Sequence, residues 1–163
     1  MSIPDRENLY RLLNLSQEKL ALLKSFAQSL KELCEDLNKD EESLIAAHIQ
    51  KQQSFIQSID CIDKDFKAIT ASCDEDIRVL ISANTANTAD MSQELQSIRE
   101  ILAEQIKYLG FIRELNRDTL TKARSLASSY KDKIISINRE KHTNYYPHSP
   151  NQVGMLLNYK ENG

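Results

Sequence analysis

Between Pro4 and Pro147 the chain has no proline, and Gly110 is its single glycine in that interval. Proline and glycine cost roughly 3 and 1 kcal/mol in a helix interior, so a stretch this long without them points to helix throughout. Valine and aromatic residues are sparse, while Leu, Ala, Glu, Lys and Gln recur, a balance that disfavours strands. The expected fold class is all-α.

Apolar spacing divides this interval into three long helices. The first is expected from about Asp5 to Leu37, where Leu9, Leu13, Ser16, Leu20, Leu23, Ala27, Leu30, Cys34 and Leu37 alternate in steps of four and three. Leu12, Leu22, Phe26 and Leu33 widen that stripe, which suits a helix packed against two neighbours. Asp40 offers an N-cap for a second helix reaching about Ile81, its seam running through Leu44, Ile45, Ile49, Phe55, Ile59, Ile62, Phe66, Ile69, Cys73, Ile77 and Leu80. The small polar residues from Ser82 to Ala89 read as a loop, and Asp90 with Gln93 resembles a capping box opening the third helix. Its seam is Leu95, Ile98, Leu102, Gln105, Leu109, Ile112, Asn116, Thr119, Ala123, Leu126 and Tyr130, continued by Ile134 and Ile137. Short loops between long helices predict an antiparallel bundle of three, up-down-up, over residues 1–139. From Glu140 two prolines, two glycines and several asparagines predict a flexible, irregular C-terminal tail over 140–163.

Composition narrows the function classes. The 163 residues fit one ordinary domain, and with 40% hydrophobic and 28% charged residues the chain is neither disordered overall nor built for membrane insertion. A net charge of −3 gives no global attraction to nucleic acid. The N-terminal residues MSIPDRENLYRLLNL lack the continuous apolar core of a secretory signal, so a cytoplasmic protein is expected. Three widely spaced cysteines, Cys34, Cys61 and Cys73, match neither a disulfide scaffold nor a CxxC metal pattern. No phosphate-binding loop, dinucleotide fingerprint, HExxH or nucleophile elbow occurs, and His48, His142 and His148 form no Glu-x-x-His pair. The expectation is therefore no enzyme, no metal and no cofactor.

Polar residues on the third seam carry more information. Gln105, Asn116 and Thr119 stand where Leu or Ile would maximise burial. Either a buried amide selects the register, or the seam is partly exposed there, or it opens toward a partner. Arg113 to Lys141 holds eight Lys/Arg against four Asp/Glu, opposite in sign to the acidic Glu32–Glu42 and Asp60–Asp76 stretches. In the tail, Tyr145, Tyr146, Met155, Leu156, Leu157 and Tyr159 suit either a short docking motif or a segment that folds back.

The stretches LYRLLNLSQEKLALLKSFAQSL (Leu9–Leu30), DEESLIAAHIQKQQSFIQSI (Asp40–Ile59) and IRELNRDTLTKARSLASSY (Ile112–Tyr130) resemble the helices of the FlgN-type flagellar export chaperones. Leu115 and Asn116 match that family's Leu-Asn-x-x-Asn segment, and Thr119 stands in place of its second Asn. The resemblance implies a cytosolic chaperone that binds hook-filament junction proteins and delivers them to the flagellar export apparatus. It also implies client contact at Asn116, Thr119, Leu120, Ala123 and Leu126, and docking to the export gate through Tyr145 and Tyr146. Such a chain would be a monomer or a weak homo-oligomer. The rival expectation is a structural coiled-coil protein that self-assembles through its seams with no client.

Overall fold

A computed structural model of the chain describes residues 3–37, 39, 42–82 and 91–145. Four helices and no strand occur among them: α1 (Ile3–Asp36), α2 (Glu42–Ser72), α3 (Glu75–Ser82) and α4 (Gln93–Tyr145). They fall into two compact units, Met1–Lys122 and Ala123–Gly163, whose boundary lies within α4.

The first unit is the helical bundle. Asn8 meets Ser72, Lys19 meets Asp63, Phe26 stacks on Phe55 and Asp36 meets His48, so α2 runs back along α1. Gln105 reaches Ser16, and Glu104 and Tyr108 both reach Lys24, so α4 runs in the same direction as α1. This is the expected up-down-up arrangement.

Two apolar clusters fill the bundle. One joins Leu9, Leu12, Ile69, Cys73, Ile77, Leu95 and Ile98, and the other joins Leu23, Ala27, Leu30 and Ile112. Between them along α1 lies a polar layer: Ser16, Lys19, Asp63 and Gln105 line a cavity of about 150 Å³ together with Leu15, Ile62, Phe66 and Leu102. Leu12 and Leu33, outside the simple heptad of α1, are buried as fully as the seam itself, which follows from α1 packing against neighbours on two sides.

The second expected helix is two helices. Its apolar spacing continues in register through Ile69, Cys73 and Ile77, all buried, yet the backbone breaks at Cys73 and Asp74. Three side chains at the end of α2 bond back to carbonyls one turn earlier: Thr70 to Phe66, Ser72 to Ile69 and Cys73 to Ile69. Such bonds compete with the helical ladder. Asp74 then starts α3, its carbonyl accepting from the Arg78 N–H at 3.0 Å, and Glu75 and Asp76 place negative charge at the positive end of the new helix.

Helix ends differ from expectation elsewhere. The cap of α4 is Ser92: its carbonyl accepts from the Gln96 N–H and its hydroxyl from the Leu95 N–H. Asp90, the expected cap, and Asp40, the expected start of the second helix, lie outside the described residues. At the other end α4 continues past residue 139 to Tyr145, so residues 140–145, expected in the tail, are helical. The rest of the expected tail, Tyr146 included, lies outside the described residues. No helix of the described residues is long and apolar enough to cross a membrane.

Candidate docking helix

α4 changes character along its length. Near its start it is tied into the bundle, with Leu95 and Ile98 in the first apolar cluster and Ile112 in the second. Glu94, in its first turn, is held below the usual carboxylate range, first by a hydrogen bond from its own backbone N–H. Partial burial opposes this, while the Ser92 and Tyr10 hydroxyls and the Arg6 charge reinforce it. Tyr10 and Arg6 belong to α1, so the same carboxylate that favours the helix start also links α4 to its neighbour. Further along, Lys24 of α1 is held above its ordinary value, first by its hydrogen bond to Glu104, and it also lies 5.5 Å from the Tyr108 ring centre.

The polar seam residues part company. Gln105 is buried and donates through Nε2 to the Ser16 carbonyl at 2.8 Å, which is the register-selecting amide. Thr119 is also buried, at 7% exposure, and its hydroxyl donates to the Leu115 carbonyl one turn back, so its polar atom is satisfied within α4 itself. Asn116 is exposed. Leu120 is 49% exposed, whereas Ala123 and Leu126 are partly buried. The five residues implied as a client site therefore divide between the units: Asn116, Thr119 and Leu120 in the first, Ala123 and Leu126 in the second. Tyr145 is the last residue of α4, and Tyr146 follows outside the described residues.

In the second unit the seam goes from partly buried to exposed. Ala123, Leu126, Tyr130, Ile134 and Ile137 follow one another in helical steps of three and four, so they share one face of α4. Tyr130, Ile134 and Ile137 are all exposed, Ile134 at 59%. Lys131 and Lys133 flank this face by helical spacing, and the Lys133 ammonium sits 5.6 Å from the Tyr130 ring centre. Residues 123–141 carry five Lys/Arg and two Asp/Glu. Chemically this is an apolar stripe edged with positive charge, suited to an amphipathic helix with acidic edges.

The sequence reading put client contact at Asn116, Thr119, Leu120, Ala123 and Leu126 and export-gate docking at Tyr145 and Tyr146. It also recognised Ile134 and Ile137 as continuing the apolar spacing, and both are exposed. Ile106 and Leu109 also remain exposed in the first unit. No protein-family model matches the chain, and neither a curated protein nor a solved structure does.

Proposed function

We propose that this chain is a cytoplasmic client-binding chaperone of the flagellar export type. The distal part of α4 would hold an amphipathic segment of a hook-filament junction protein until the export apparatus receives it. The supporting observation is the apolar face of Tyr130, Ile134 and Ile137, exposed on a regular helix and edged by lysines. A lone amphipathic helix gains little stability from its own backbone and is completed by burying that face. Leu126, from the family resemblance, extends the proposed docking surface within the same unit, and Tyr145 and Tyr146 are proposed to contact the export gate.

The rival reading, self-assembly through the seams, is weaker for this face. Pairing two copies through a segment with five basic and two acidic residues brings like charges together. The test is a pull-down from source cytosol with the tagged full chain, read by mass spectrometry, against the Ile134→Asp, Ile137→Asp variant. Hook-junction proteins recovered by the wild type and lost by an equally helical variant support the chaperone. Recovery of the chain itself alone favours the structural coiled coil.

A further inference from the structure

We infer that the groove between the end of α3 and the middle of α4 docks an amphipathic helix of a partner protein, one whose apolar face ends in Asp or Glu. Three observations point to that occupant. All lie in the first unit, so the inference stands apart from the client face proposed for the second.

The first is an unfilled apolar surface. The groove measures about 680 Å³, with Ile81 of α3 and Lys19 of α1 at its sides and Leu102, Ile106 and Leu109 of α4 along its floor. Steps of four and three put these α4 residues on one face, and Ile106 is 68% exposed. Leu102 and Ile81 also pack against the first apolar cluster, so a helix laid in the groove extends an existing core. The second is bare backbone. Gly110, one turn beyond Ile106, has open space where a Cβ would stand, with no atom within 4 Å. Glycine weakens a helix interior, and no neighbour among the described residues requires one there. A second helix does, because it approaches α4 closely only where a side chain is missing.

The third is charge, which names the partner's chemistry. Arg113 and Arg117 follow Ile106 by seven and eleven residues, on the same side of α4, and both are exposed. Neither meets a carboxylate among the described residues. Glu100, the one acidic residue among the described groove lining, lies toward the start of α4 and accepts from Gln96 Nε2 at 3.1 Å. The partner's carboxylates therefore belong at the Arg113 and Arg117 end, where a guanidinium can hold them with two parallel bonds. The reversed helix would set them against Glu100, which fixes its direction.

Fluorescence anisotropy of the full-length chain with a labelled synthetic helix tests this. The peptide carries leucines at i, i+3, i+7 and i+10 and glutamates in its last turn, and a second peptide has lysines in place of the glutamates. The glutamate peptide is expected to bind at least about tenfold more tightly than the lysine peptide. Gly110→Leu and the double variant Arg113→Gln, Arg117→Gln are each expected to weaken it by about tenfold with helicity retained, while Ile134→Asp, Ile137→Asp leaves it unchanged. If Gly110→Leu fails to fold, the arginine variant decides. Equal affinity for the two peptides, or binding of neither, overturns the inference. So does binding that survives the first-unit variants and is lost in Ile134→Asp, Ile137→Asp, which assigns the peptide to the second unit. A wild-type dimer in sedimentation that Gly110→Leu dissociates also overturns it, since a second copy then fills the groove.

Discussion

The Gln105 side-chain amide donates to the Ser16 carbonyl across the boundary between α4 and α1, inside a layer that separates two apolar clusters. Apolar side chains tolerate sliding along one another, but a buried amide does so only by losing its acceptor. Shifting α4 by one turn would carry Nε2 away from Ser16, so this pair fixes the register of the helices. Gln105→Ala is expected to destabilise the bundle by about 1.5–3 kcal/mol through the lost hydrogen bond and the enlarged cavity. Gln96→Ala, on the exposed face of the same helix, is expected to stay within about 0.5 kcal/mol. Urea unfolding of both variants checks the contrast.

A second prediction concerns a hydroxyl that weakens the core. Ser29 is 1% exposed, and its Oγ finds no hydrogen-bond partner among the described residues. Ser16, equally buried on the same helix, donates to the Leu12 carbonyl at 2.7 Å. Ser29→Ala is expected to stabilise the chain by about 1 kcal/mol, since it removes an unsatisfied group and improves helix propensity. Ser16→Ala is expected to give no such gain. Thermal melts of the two variants decide the matter.

The long helices were legible because Pro and Gly are missing and the apolar steps are regular. The break at Cys73 and Asp74 was not. Ile69, Cys73 and Ile77 keep four-residue steps across it, so the packing pattern that reveals a helix carries no trace of the interruption. Its cause lies in short-range bonding by Thr70, Ser72 and Cys73, and in Asp74 followed by Glu75 and Asp76. Periodicity likewise located the polar seam of α4 without distinguishing the inward Gln105 and Thr119 from the outward Asn116. That distinction depends on which neighbour each residue meets.

Gly110 gives a third test. It sits in the interior of α4, where a Cβ added to it would meet no atom within 4 Å. Gly110→Ala is expected to raise stability by about 0.5–1 kcal/mol by restricting the unfolded chain, with no steric cost. Calorimetry measures it. A loss of stability would show that α4 needs a flexible point there.

The last prediction is acidic. Asp36, at the end of α1, is held below the usual carboxylate range, first by its hydrogen bond to Lys39 and then by His48 at 2.9 Å. A carboxyl whose folded pKa is depressed contributes stability above its unfolded value near 4, and that contribution is lost as pH falls through the folded value. Glu94 follows the same sign. Wild-type stability should therefore fall between about pH 5 and the acid limit, and Asp36→Asn combined with Glu94→Gln should flatten that limb. Urea midpoints at pH 3, 4, 5 and 7 test the difference.

The joint at Cys73 and Asp74 gives this chain a clock. α3 has eight residues, fewer than the roughly 12–15 an isolated helix needs to hold its shape, so it persists through the burial of Ile77 in the shared core. Cys73, at its threshold, is buried, while Cys61 is exposed on α2. A thiol reagent would therefore mark Cys61 at once and reach Cys73 only as often as α3 comes away. The delay between the two labels times the opening of the bundle, using atoms the chain already carries.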